Sequence, residues 1–308
     1  MSRTDCCAEN LPDVAVDRHP QTAVALEWVG MRGIAIPLSL PGDPARQRAN
    51  AARLDAGVNL GKGEARGIHM SRLYTHADAV LSQNPLGLET LRQLLDGFLD
   101  SHQALSTRAT ASVTFELLLR RDALLSDRAG WKSYPVRIEA ALEGGELALE
   151  LEVKIGYSST CPASAALARQ LIQRRFDEDF ADVAPTQRVV REWLGSEQGI
   201  CATPHGQRSE ASVRVRLSAG QELPLVGLID AVEAALATPL QTAVKREDEQ
   251  EFARLNGANL MFCEDAARRI HAVLDGDPRY SAFRAVCSHF ESLHAHDAVA
   301  VTAKGMPA

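Results

Sequence analysis

The chain has 308 residues, 45% of them hydrophobic and 24% charged, with a formal net charge of −7. That length suits one large domain or two ordinary ones around a substantial core. The acidic balance argues against general attraction to nucleic acid or to an anionic membrane, while a local basic pocket for a phosphorylated small molecule remains compatible with it.

In chain order, residues 1–20 are polar and carry two prolines, and read as a poorly ordered arm. Strand regions follow in VALEWVGMRGIAIPLSL and ARLDAGVNL, then helices across 71–104. In the second of these helices Leu88, Leu91, Leu95 and Phe98 form an apolar stripe. Period-two alternation then puts Ala109, Ala111, Val113, Phe115 and Leu117 on one face. The same holds for Val136, Ile138, Ala140 and Leu142, and for Leu147, Leu149, Leu151, Val153 and Ile155, as in half-buried antiparallel strands. Gly144-Gly145 between the last two runs is a tight hairpin signal.

Residues 165–200 interrupt the pattern, and read as a helix followed by a loop; so long an insertion is expected to cover a site or a partner surface. Beyond it come a strand near 209–217, a helix over 225–236, and a helix with Phe262, Ala266, Ile270 and Val273 as its stripe and Asn259 as its N-cap. Strands near 281–293 and 297–303 close the chain. Two strands, helices and two strands therefore occur twice, with the division falling at about residues 21–144 and 145–308. Antiparallel strands with segregated helices give an α+β class.

No apolar run approaches the roughly 20 residues needed to span a bilayer. The opening MSRTDCCAENLPDV lacks the apolar stretch of a secretion signal. The expectation is a cytoplasmic protein without disulfides. None of the six cysteines forms a C-x-x-C pair, so a metal would have to be gathered from distant positions.

Five residues could carry such chemistry. Cys161 follows a strand, His205 precedes the next, Glu249 lies in VKREDEQEF, Glu264 in MFCEDAARR and His294 in FESLHAHD. Thiol, imidazole and carboxylate together suit zinc or a similar ion that activates water. Taken singly, each has an ordinary reading. Cys161 would be a small buried hydrophobe, His205 a turn residue, Glu249 part of a solvated helix face, Glu264 an acid at a helix start and His294 incidental.

A set of short motifs in order changes that weighing: LPDV, V-G-M-R-G, GIHMSR at 67–72, GYSSTCPAS at 156–164, PHGQRS at 204–209, VKREDE at 244–249, NLMFCEDAARRI at 259–270 and FESLHAHDA at 290–298. With them the chain resembles the type IB GTP cyclohydrolases, from near residue 11 almost to its end. The resemblance implies tandem tunnelling-fold (T-fold) units, a homotetramer with active sites where subunits meet, and hydrolysis of GTP to 7,8-dihydroneopterin triphosphate and formate with zinc, manganese or iron. It further implies Cys161, His205, Glu249 and His294 around the metal, with Cys161 and His294 in catalysis. Glu264 would hold the purine, because a carboxylate accepts two parallel bonds from the guanine N–H and NH₂ edge. His69 or Arg72 would meet phosphate. Two departures stand out: Ala163 replaces the second cysteine of the family's Cys-Pro-Cys-Ser, and the Cys-to-His stretch is longer than usual. A relative releasing a cyclic phosphate, or a non-catalytic purine- or pterin-binding protein, are the alternatives.

Overall fold

The computed structural model describes residues 20–42, 50–63 and 65–307, so the arm and the LPDV motif lie outside the described residues. The described strands are β1 (Leu26–Leu38), β2 (Asn50–Leu60), β3 (Arg108–Asp122), β4 (Ala129–Glu143), β5 (Glu146–Thr160), β6 (Gly206–Leu217), β7 (Tyr280–His289) and β8 (Ala298–Lys304), hydrogen-bonded in sequence order. The helices are α1 (Met70–Leu81), α2 (Leu88–Asp100), α3 (Pro162–Asp179), α4 (Gln187–Leu194), α5 (Leu225–Leu236), α6 (Arg246–Ala258) and α7 (Cys263–Asp275). This is an α+β architecture, and no helix among the described residues is long and apolar enough to cross a membrane.

The described residues divide into two compact units, one of those up to residue 117 with 135–151 and 216–223, the other of 118–134, 152–215 and those from 224 onward. In the first, β1 and β2 pair antiparallel and β2 continues onto β3, with Val58 opposite Ala109 and Ala52 opposite Phe115. The alternation of β3 is literal: Ala109, Ala111, Val113, Phe115 and Leu117 are all buried. Gly144 and Gly145 turn β4 into β5 at φ +58° and +84°, a conformation that residues with a Cβ resist. Helix α2 buries Leu91, Leu94, Leu95 and Phe98. Phe98 is fully enclosed, a burial worth about 2–3 kcal/mol.

The second unit buries Leu228, Ile229, Val232 and Leu236 along α5. A charged cluster anchors that helix: Lys132 Nζ lies 2.7 Å from Glu233 Oε1, to which the Tyr134 hydroxyl also donates at 2.7 Å. Burial lowers the Lys132 pKa despite Glu233, and raises that of Tyr134.

Three expectations need correction. The 165–200 segment is not a helix and a loop but a helical hairpin, α3 and α4. Phe176, Phe180 and Trp193 meet within it, and Asp179 accepts from Trp193 Nε1 at 2.8 Å. Asn259 does not start a helix; it ends α6, donating to the Leu236 carbonyl at 2.8 Å. The buried face of α7 is set by Cys263, Ala266, Ala267, Ile270 and Leu274, leaving Phe262 as an exposed N-cap. Here the packing surface, not the stripe chosen from sequence, fixes the helix start.

Candidate active site

The site is built where β5 ends and β6 begins. Thr160 is the last residue of β5, and Pro162 takes the first position of α3, where its missing N–H costs nothing. Cys161 between them is the N-cap, with extended backbone and its Sγ accepting from the Ser164 N–H at 3.5 Å. Two further bonds stitch the far end of the insertion to this point. The Cys161 N–H donates to the His205 carbonyl at 3.2 Å, and the His205 N–H donates to Ser164 Oγ at 3.2 Å. Thiol and imidazole, far apart in sequence, thus share one strand-end junction.

Around His205 lies a chain of polar groups. Its Nδ1 is 2.8 Å from Gln207 Oε1, the Gln207 amide donates to Glu291 Oε1 at 3.2 Å, and Glu291 Oε2 stands 3.8 Å from Nδ1. The Phe290 N–H donates to the Arg208 carbonyl at 3.0 Å, which fixes the end of β7 against the start of β6. Behind these residues, His289 Nε2 is 3.0 Å from the Tyr157 hydroxyl, and Ser159 Oγ is 2.8 Å from Ser209 Oγ, all four residues buried.

Burial separates spectators from candidates. Desolvation raises the Tyr157 hydroxyl, pushes Cys287 up to about 12 and Cys263 up to about 11, and lowers His289 in spite of Glu291, Glu264 and Asp265 nearby. At neutral pH the two cysteines are unreactive thiols and His289 is an uncharged imidazole. Cys161 and His205, by contrast, are only half-buried.

The start of α7 reaches the same junction, for the Met261 N–H donates to the Thr160 carbonyl at 3.2 Å. Three residues on, Glu264 is exposed on the first turn of α7 and accepts from the Cys263 thiol at 3.3 Å. Its own backbone N–H and that thiol hold its carboxyl below the usual range, so it is a solvent-facing anion able to receive two N–H donors.

The other expected residues are not drawn in. Glu249 is exposed on the first turn of α6, where its neighbour Asp248 is the enclosed acid. Asp248 accepts from the backbone of Leu125, Ser126 and Lys245 at 2.8 Å each, and from the Ser126 hydroxyl at 2.5 Å. His294 lies in the bend after β7, exposed and stacked on His296 at 5.1 Å. Among the described residues no three His, Cys, Asp or Glu side chains are grouped closely enough to hold a metal. A thiol and an imidazole are donor types that suit a zinc-like ion, but among the described residues Cys161 and His205 are joined only through their backbone junction, and the four-membered set is not assembled. His69, just before α1, and Arg72, whose Nη1 donates to the Ser101 carbonyl at 3.0 Å, belong to the first unit.

Sequence reasoning passed over Gln207, Glu291, His289 and Tyr157. A signal for the first existed, because Gln207 stands two residues after His205 and so shares its side of the strand.

A family model described as "Type I GTP cyclohydrolase folE2" matches residues 11–300. The chain is 53% identical over 293 residues to the GTP cyclohydrolase FolE2 of Pseudomonas putida (strain GB-1), covering 95% of each chain. It is 50% identical over 297 residues to that of Pseudoalteromonas translucida (strain TAC 125), covering 96% of this chain and 98% of the relative. Among solved structures, uricase from Arthrobacter globiformis superposes with a TM-score of 0.54 at 10% identity, over 92% of this chain and 96% of that one, a likeness of fold alone. By the family match and the two relatives, the chain belongs to the type I GTP cyclohydrolase FolE2 family.

Proposed function

We propose that this protein is a GTP cyclohydrolase of the IB type, converting GTP and water into 7,8-dihydroneopterin triphosphate and formate at the head of folate synthesis. Membership of the FolE2 family over residues 11–300 carries this reading, and the backbone junction that joins Cys161 to His205 supports it. Cys161 and His205 would hold a divalent ion, zinc, manganese or iron, with Glu249 and His294 as the further donors. When bound, the ion supplies Lewis acidity that lets water attack C8 of guanine.

The chain's own residues do the rest. Glu264, anionic and exposed, takes the N–H and NH₂ edge of guanine, which rejects adenine because adenine presents no matching pair of donors. Cys161 Sγ lies where a backbone N–H can stabilise negative charge on sulfur. His294 serves as ligand or moves a proton to the imidazole nitrogen released as the ring opens. By the family resemblance, Arg72 or His69 would meet phosphate.

The chain would form a homotetramer of tandem T-fold units, divided at about residues 21–144 and 145–308, in the cytoplasm. The two terminal strands of the sheet order support oligomerisation, since β1 exposes Leu26 and Trp28 and β8 exposes Val299 and Val301. The α3–α4 hairpin, rooted beside Cys161, would cover the pocket mouth or a subunit contact; a deletion variant with unchanged assembly, affinity and rate refutes that.

The test is direct. Protein loaded with Mn²⁺ or Zn²⁺ and given GTP should release formate and a fluorescent pterin, and Cys161→Ala should not. GTP binding without formate release would make the protein a non-catalytic binder. A cyclic phosphate product in the mass spectrum would place it with a different relative.

A further inference from the structure

We propose that Gln207 and Glu291 are positioning residues that set the tautomer of His205, and through it the nitrogen the imidazole offers to a metal. The inference rests on the reading of His205 as a ligand. It follows from donor and acceptor inventory alone. A carboxylate only accepts, so the Gln207 group 3.2 Å from Glu291 Oε1 must be its NH₂. The Gln207 carbonyl oxygen is then the atom 2.8 Å from His205 Nδ1, and a carbonyl also only accepts. Nδ1 must therefore carry the hydrogen, and Nε2 keeps the lone pair.

Glu291 thus acts at one remove. It orients an amide that would otherwise flip freely, and its own Oε2, 3.8 Å from Nδ1, is too distant to bond the ring directly. The arrangement is held by the backbone as well as by side chains, because the Phe290 N–H to Arg208 carbonyl bond sets the register in which Glu291 reaches Gln207. Both ends are well shielded, with the His205 and Glu291 side chains 19% and 13% exposed, so water competes poorly for these bonds. A ligand histidine oriented through its other nitrogen binds its ion more tightly, and loss of that partner commonly costs about 10–100-fold in affinity.

The experiment uses the full chain with ¹⁵N-labelled histidine. In metal-free wild type, long-range ¹H–¹⁵N spectra should show His205 as the Nδ1–H form, and Gln207→Leu should convert it to a mixture. Zn²⁺ affinity, measured by competition with a chromophoric chelator, should fall about 10–100-fold in Gln207→Leu and by less in Glu291→Gln, whose amide can still accept from Gln207. Thermal midpoints within a few degrees of wild type keep the comparison free of unfolding. A wild-type His205 in the Nε2–H form, or a Gln207→Leu protein with unchanged tautomer and Zn²⁺ affinity, would overturn the proposal. If His205→Ala leaves Zn²⁺ binding untouched, the ligand reading fails by itself, and the metal-free spectra still decide whether Gln207 sets the tautomer.

Discussion

The strand-end junction at Cys161 and His205 and the first turn of α6 at Asp248 and Glu249 use similar polar residues to opposite ends. At the junction, backbone groups do the fastening: Cys161 N–H, His205 N–H and Ser164 N–H are all engaged, and the thiol and ring, though mostly covered, are not fully buried. On α6 the side chain does the fastening. Asp248 takes four bonds and is fully enclosed, while the next residue, Glu249, faces solvent. Who supplies the hydrogen bonds decides whether a side chain remains available for chemistry.

The largest effect that would sharpen this contrast is on turnover. Cys161→Ala should remove formate release by roughly 10³-fold or more, since on the proposed reading it deletes a metal donor. The thermal midpoint should stay within a few degrees, because the stitching bonds at that residue are mainly backbone. A large drop in the melting temperature instead would make Cys161 a structural residue. Next, Asp248→Ala should lower the thermal midpoint by at least about 5 °C, against little change for Glu249→Ala. Calorimetry showing equal losses would erase the distinction between the two acids.

Acid should reveal the same asymmetry. Backbone and Ser126 bonds hold the Asp248 carboxyl well below the usual range, outweighing the effect of burial. Its folded value lies under its unfolded value of about 3.9. The stabilisation is therefore complete above that pH and drains away as pH falls through the interval below it. The stability gap between wild type and Asp248→Asn should be constant from about pH 5 to 7 and shrink under about pH 4. A gap that persists unchanged in acid would show that shape, not charge, carries the effect.

A milder test concerns the thiols. Iodoacetamide at neutral pH should modify Cys161 and the exposed Cys201 while sparing Cys263 and Cys287, whose pKa values are pushed to about 11 and about 12. Peptide mapping that finds Cys287 labelled first would contradict the buried arrangement. The smallest change expected is at Ala237, which closes α5 at φ +63° in the left-handed region. Ala237→Gly relieves about 1–2 kcal/mol of strain and returns about 0.4–1 through the looser unfolded chain. Chemical denaturation should show a gain of at most about 1.5 kcal/mol.

The strands were legible because their sides differ chemically. Alternation in 109–117 and 136–142, with two glycines at 144 and 145, named β3, β4 and the hairpin directly, and burial follows that pattern residue by residue. Helix ends were less legible. Asn259 has a good capping side chain, but the Leu236 carbonyl and Arg269 claim it, so the next helix starts only at Cys263. The α4 helix escaped notice since it buries none of its own residues; Trp193, meeting Phe176 and Phe180, ties it to α3. The pairing of Cys161 with His205 was reached through motif resemblance, as nothing local in either segment points to the other. Glu291 was invisible for a related reason, and the spacing that puts Gln207 beside His205 does not disclose its role: an amide acquires its role only from what stands on both sides of it.

The α3–α4 hairpin between Cys161 and His205 has a consequence for how freely the chain can vary there. A slack loop of that length would tax the closure of the Cys161–His205 clasp, with each doubling costing about 0.6 kcal/mol more. Because Phe176, Phe180, Trp193 and Asp179 fold the excursion onto itself, its two ends are delivered already close together. Residues can be gained or lost at the hairpin's far tip, around 181–185, without altering the spacing of thiol and imidazole, so this tip is open to grafting.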